Sequence, residues 1–224
     1  MPFRHEYKQQ INACDHWVLR KRLGALLQPD PFANEQGVYT IRSLYFDNFK
    51  DKALREKLDG VNRREKFRIR CYNQDDGLIR LEKKSKYNHL CEKQSAVLSR
   101  EQTESLLAGD LGWMPQSNEP LVLELYSKMR AQLLKPRTLV HYQREAYIYP
   151  PGNVRITIDT DIRTGIFSTG LLEADTPLVQ AGEALRILEI KYDRFLPAPV
   201  AALLQIGDRR AAAFSKYAAC RLYG

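Results

Sequence analysis

The chain has 224 residues, the size of one domain, and its hydrophobic fraction of 44% is enough for a real core. A formal net charge of +8 favours an anionic partner: nucleic acid, a phosphate polymer, a nucleotide or an anionic membrane surface. No stretch approaches the roughly 18 apolar residues of a membrane span, and the opening MPFRHEYKQQ has no apolar signal region, so the chain itself is expected to be soluble and cytoplasmic. Cys14, Cys71, Cys91 and Cys220 show no zinc spacing and read as free, buried thiols in a reducing compartment. The four histidines, His5, His16, His89 and His141, have no mutual metal spacing either.

In chain order, residues 3–10 alternate weakly and predict a first strand. Residues 12–27 predict an amphipathic helix with Trp17, Val18, Leu23, Leu26 and Leu27 as its apolar stripe, ended by Pro29. A polar loop at 31–37 leads to a β-rich run at 38–46. Asp47 is placed to cap a short charged helix, NFKDKALREKL, which Gly60 closes. Strands at 64–73 and 78–86 flank Gln74-Asp75-Asp76-Gly77, a hairpin signal. A further strand at 92–98 runs into a capping box at Ser99 and Gln102, which opens a short helix to Leu107. A second amphipathic helix is expected at 118–134. Strands follow at 137–149, 154–162 and 184–193, and residues 198–221 are helical with Gly207 near the middle. Strand and helix do not alternate regularly, so a mainly antiparallel sheet or barrel fits better than a doubly wound parallel sheet. The expected class is α+β: a mainly antiparallel β-barrel with peripheral helices, formed by a single domain over 1–224.

The informative signal is period two within the strands. Lys66, Arg68, Arg70 and Tyr72 share one face, opposite Phe67, Ile69 and Cys71. Arg80, Glu82 and Lys84 oppose Ile79 and Leu81. Tyr142, Arg144, Ala146 and Ile148 oppose His141, Gln143, Glu145 and Tyr147. Arg155, Thr157, Asp159 and Asp161 oppose Val154, Ile156 and Ile158. Ile187, Glu189 and Lys191 oppose Leu188, Ile190 and Tyr192. Any one such strand can simply show its charges to water. Repetition over several strands points instead to closure of the sheet with the bases inside, solvated, paired or engaged with an anion. The arginine fork and the lysine point charge both suit phosphate, and interspersed carboxylates suit Mg²⁺ or Mn²⁺. Asp159 and Asp161 read as turn or surface carboxylates, and Cys71 as core.

Several segments in this order resemble the VTC domain, the polyphosphate polymerase domain of the vacuolar transporter chaperone complex, within the triphosphate tunnel (CYTH-like) superfamily. They are FRHEYK at 3–8, IRSLYFD at 41–47, EKFRIRCY at 65–72, RLEKK at 80–84, EKQ at 92–94, YQREAY at 142–147, VRITIDTDI at 154–162, LEIK at 188–191 and FSKY at 214–217. The resemblance implies a tunnel fold, a divalent metal (Mn²⁺ or Mg²⁺) and transfer of the γ-phosphate of an NTP, ATP first, to polyphosphate. Hydrolysis of triphosphate or tripolyphosphate, and binding of polyphosphate without turnover, stay open as alternatives. Pyrophosphate belongs to the same ligand class, no nucleic acid is implied, and a membrane-protein partner is compatible with the family.

Carried over by position, Arg68, Arg70, Lys84, Arg144 and Lys191 are the catalytic bases. Lys8, Lys93, Tyr142, Arg155, Ser215 and Lys216 contact phosphate. Glu189 holds the metal, with support from Glu6 and Glu82. One departure stands out. The superfamily opens with E-x-E-x-K, whereas here the pattern is Arg4-x-Glu6-x-Lys8. Loss of the first carboxylate speaks against a simple triphosphatase and for the VTC branch.

Overall fold

The computed structural model describes residues 4–73, 75–88, 90–207 and 214–222. Phe3, Gln74 of the expected hairpin turn, His89 and part of the expected helix at 198–221 lie outside the described residues. In chain order the elements are β1 (His5–Ile11), α1 (Ala13–Leu26), β2 (Gln28–Pro29), β3 (Val38–Asp47), α2 (Lys52–Leu58), β4 (Arg63–Tyr72), β5 (Asp75–Tyr87), β6 (Leu90–Leu98) and α3 (Arg100–Ala108). They continue with α4 (Pro120–Gln132), β7 (Lys135–Tyr149), β8 (Val154–Thr164), β9 (Val179–Gln180), β10 (Arg186–Tyr192), α5 (Ala198–Leu203) and α6 (Lys216–Leu222). The mainly antiparallel α+β class read from the strand pattern is the one observed.

The chain forms two compact units. The first takes Met1–Thr40, Tyr142–Ile162 and Gln180–Ser215, and the second takes Ile41–His141, Arg163–Val179 and Lys216–Gly224.

In the first unit the strand order is β1-β10-β8-β7, with β2 on the edge of β7. Val154, Ile156, Ile158, Leu188 and Ile190 make the apolar face, and α1 and α5 cover it with Leu19, Leu23, Leu27 and Val200. The apolar stripe of α1 therefore differs from the sequence reading. The residues that pack are the i, i+4, i+8 row Leu19, Leu23 and Leu27, while Trp17 and Leu26 are exposed. Asn12 sets where the helix begins, through a reciprocal capping box with Asp15. On the same side, Glu145 is buried and held by His16 Nε2 at 2.8 Å and by the Tyr147 hydroxyl at 3.0 Å.

In the second unit the order is β3-β4-β5-β6. Leu44, Phe46, Phe67, Ile69, Cys71, Ile79 and Leu81 form its apolar face. Leu106 of α3 and Leu121, Val122 and Leu125 of α4 cover it. Ser99 and Gln102 make the capping box expected at the start of α3. The β4–β5 turn lies three residues earlier than Asp76-Gly77 suggests. Tyr72 pairs with Asp75, and Asn73 takes the left-handed conformation at φ 52°, so Asp75–Gly77 already belong to β5. Cys71 and Cys220 are buried as expected, but Cys14 and Cys91 are exposed.

Asp47 does more than cap a helix. Helix α2 starts only at Lys52, after Asp51 in the left-handed region at φ 51°. Asp47 nevertheless accepts from the Ala53 and Leu54 amides and from the Tyr217 hydroxyl of α6. One buried carboxylate thus anchors two helices. Replacing it (Asp47→Ala) leaves these donors unsatisfied, and we expect a stability loss of roughly 3 kcal/mol by urea denaturation; a loss below ~1 kcal/mol contradicts this role for Asp47.

Candidate functional site

Opposite its apolar side, each unit presents a charged strand face. In the first unit the cross-strand rows are Lys8–Glu189–Thr157 and Glu6–Lys191–Arg155. Glu189 is 6% exposed and receives Lys191 Nζ at 2.6 Å and Lys8 Nζ at 3.9 Å. Lys8 also pairs with Glu6. Burial draws the Lys8 ammonium pKa down, but Glu189 and Glu6 outweigh it, leaving a net rise. Lys191 goes the other way, because burial outweighs Glu189 and Glu6 and Arg144 adds repulsion.

Arg144 makes a bidentate pair with Asp159, Nε to Oδ1 at 2.6 Å and Nη2 to Oδ2 at 2.8 Å, and its guanidinium lies 5.4 Å from the Tyr142 ring centroid. Burial opposes its charge, but Asp159 holds it protonated. Asp159 is fully buried, which corrects its reading as a turn or surface carboxylate: β8 continues past it, and Arg144 compensates its desolvation. Asp161 is likewise half-buried within β8. Arg155 binds Asp30 Oδ2 at 2.6 Å and the Tyr39 hydroxyl at 3.0 Å.

In the second unit four rows run across β4, β5 and β6. They are Arg64–Lys86–Cys91, Lys66–Lys84–Lys93, Arg68–Glu82–Ser95 and Arg70–Arg80–Val97. Strand β3 adds Tyr45 beside Arg68 and Ser43 beside Arg70. Glu82 is the carboxylate of these rows, 2% exposed. It receives Arg68 Nε at 2.7 Å and Nη2 at 2.6 Å, Lys93 Nζ at 2.5 Å and Arg70 Nη1 at 3.9 Å. Burial raises its pKa, but Arg68, Arg70 and Lys93 bring it down to about 2. Arg70 also donates to Ser43 Oγ at 3.1 Å. Ser215 and Lys216 stand half-buried at the start of α6. The next residue, Tyr217, stacks on Tyr45.

Arg68, Arg70, Lys84 and Lys93 are therefore gathered on one face, and Lys8, Arg144, Arg155, Glu189 and Lys191 on the other. Sequence reasoning missed Tyr45, Lys66, Asp30 and the buried role of Asp159. The alternation of VYTIRSLYF, which puts Ser43 and Tyr45 opposite Leu44 and Phe46, carried the signal for Tyr45. Asp30 lies between the expected helix and the expected loop at 31–37, and no periodicity marks it.

A divalent metal has partial support from the donors present. The described residues contain no cluster of three His, Cys, Asp or Glu side chains able to hold an ion. Glu189 does offer a buried carboxylate opposite Thr157, whose hydroxyl has no hydrogen-bond partner among the described residues. All these donors are oxygens, and Mg²⁺ commonly takes one or two carboxylates and completes its shell with water and phosphate.

The fold is shared with solved structures of low sequence identity. A candidate adenylyl cyclase from Hippeastrum, HpAC1, which has a dominant triphosphatase activity, superposes with a TM-score of 0.53 over 90% of this chain and 84% of that one, at 14% identity. A candidate adenylate cyclase from Bacillus halodurans gives 0.50 over 88% and 83%, at 12% identity. A model of the VTC domain matches residues 3–223, and the chain belongs to that family. No curated protein gives a significant sequence match. Among the described residues no helix is long and apolar enough to cross a membrane.

Glu82 generates a prediction. Glu82→Gln leaves Arg68, Arg70 and Lys93 without their shared carboxylate, and stability at neutral pH should fall by roughly 3–5 kcal/mol. Because the folded value is depressed, this contribution is full above the ordinary value of 4.5 and is lost as pH falls through about 2. Acid unfolding should therefore narrow the gap between variant and wild type; a constant gap contradicts the assignment.

Proposed function

We propose that the chain is a polyphosphate polymerase that transfers the γ-phosphate of an NTP, with ATP the first choice, to the end of a polyphosphate chain. The observation that carries this reading is the register of like charges on β4–β6. Lys66, Lys84 and Lys93 stand side by side, as do Arg70 and Arg80. Like charges directly opposite one another destabilise a sheet. A bound polyanion relieves the repulsion, with the arginines engaging phosphate oxygens and the lysines acting as point charges along it.

Phosphoryl transfer needs positioning and charge neutralisation more than a protein nucleophile. Arg68 and Arg70, fixed by Glu82, Tyr45 and Ser43, are pre-oriented cations. On the other charged face Arg144, Arg155, Lys8 and Lys191 play the same part, with Tyr142 beneath Arg144, and Ser215 and Lys216 add contacts from the start of α6. Glu189 would hold Mn²⁺ or Mg²⁺, with Glu6 and Thr157 nearby on its own face and Glu82 serving the bases of the other unit. Once bound, the ion would neutralise phosphate charge developing in the transition state. Arg4, at the position of the missing carboxylate, is committed elsewhere: it pairs with Asp193 at 3.0 Å and donates to the Asn153 carbonyl.

Hydrolysis is the second reading, favoured by the triphosphatase activity of HpAC1. Incubation with ATP and Mn²⁺ separates the two. Long phosphate chains are expected, orthophosphate alone supports hydrolysis, and neither product sinks both. We expect Arg70→Ala to lower kcat by about a hundredfold or more. Glu189→Gln should abolish metal-dependent turnover while leaving polyphosphate binding largely intact; full activity in either variant removes that residue from the site.

A further inference from the structure

Tyr45 has so far served only to hold Arg68, yet several further contacts fix it in turn. It is 4% exposed, in the row Tyr45–Arg68–Glu82. Its hydroxyl accepts from Arg68 Nη1 at 2.7 Å. Its ring stacks on Tyr217 with centroids 5.0 Å apart, and Tyr217 donates to Asp47, so the ring is fixed from behind. Lys66 Nζ and the Arg68 guanidinium lie 5.4 and 5.6 Å from its centroid. Arg68 is the one hydrogen-bond partner of this hydroxyl among the described residues, and a guanidinium can only donate. The phenol proton therefore has no acceptor from Arg68. The Arg68 side chain is 22% exposed, and a phosphate seated on it arrives beside the hydroxyl it holds.

We propose that Tyr45 is a phosphate-contacting residue: its hydroxyl, fixed by Arg68 and Tyr217, donates its proton in a hydrogen bond to an oxygen of the bound triphosphate or polyphosphate, so the ligand prefers the phenol to the phenolate. This rests on the phosphate-binding reading above. The charges around the ring support it. Lys66, Arg68 and Arg70 face it from β4 and Tyr217 from α6, while Glu82 of β5 lies beyond Arg68. Burial raises the phenol, but Arg68, Lys66 and Arg70 outweigh burial and bring it down to about 7. Without ligand, a phenolate thus offsets these cations from near-neutral pH upward. With phosphate bound, the cations are already neutralised and a phenolate would sit against the ligand's own charge. Binding then takes up a proton. The affinity is full below about pH 7 and falls as pH rises, by up to about tenfold per pH unit.

The test is calorimetric titration of the full chain with tripolyphosphate at about pH 6 and about pH 8, alongside Tyr45→Phe, with ultraviolet difference spectra for tyrosinate. Comparison with the variant cancels the titration of the ligand itself. At the lower pH the wild type should bind about tenfold more tightly than Tyr45→Phe, and the two should converge at the higher pH. At the higher pH ligand should also bleach a tyrosinate band that the variant lacks. A ratio unchanged by pH, or a band unaffected by ligand, overturns the proposal and leaves the phosphate reading standing. If Tyr45→Phe does not fold, the wild-type band alone decides. If the wild type binds no tripolyphosphate at either pH, the phosphate reading falls, and this inference with it.

Discussion

Keeping several guanidinium and ammonium groups charged beside a protein core is the constraint on which this structure rests. An isolated ion removed from water costs several kcal/mol, so each base needs an anion or solvent. The chain meets this with very few carboxylates. Asp159 holds Arg144, Asp30 holds Arg155, Glu189 serves Lys191 and Lys8, and Glu82 serves Arg68, Arg70 and Lys93. The helices follow from the same requirement. With the charges gathered on one side of the strands, the opposite side is apolar and must be covered, by α1 and α5 in one unit and by α3 and α4 in the other.

The two faces are balanced differently. In the first unit each row sets an acid beside a base, and although Lys191 also faces Arg155, both of these bases have a close carboxylate. In the second, bases meet bases across β4, β5 and β6 around a single buried glutamate. A carboxylate shared by three cations stays ionised far into acid. Two of the cations it holds, Arg68 and Arg70, also draw down the nearest weak acid of the row, the Tyr45 phenol.

Much of this was legible in the sequence, because strand alternation depends only on backbone geometry. Arg68 and Arg70 opposite Ile69 and Cys71, or Glu189 and Lys191 opposite Leu188 and Ile190, could be placed on a face without any tertiary information. The capping box at Ser99 is a local device and was equally readable. What was lost depends on partners distant in the chain. Asp159 looks like one more polar strand residue until Arg144, on a neighbouring strand, is seen to bind it. Asp47 looks like a helix cap until Tyr217 arrives from the other end of the sequence. Trp17 looks like core because helical spacing alone does not say which stripe meets the sheet; Leu19, Leu23 and Leu27 took that place.

The pairing of β1 with β10 has a temporal consequence. The strands from Arg63 to Leu98 form a meander of neighbours in sequence, so the arginine- and lysine-rich face can assemble from local contacts. Lys8 meets Glu189 only when opposite ends of the chain come together. During synthesis the cationic rows of β4–β6 are therefore all available for pairing long before Glu189 has been made and can meet Lys8.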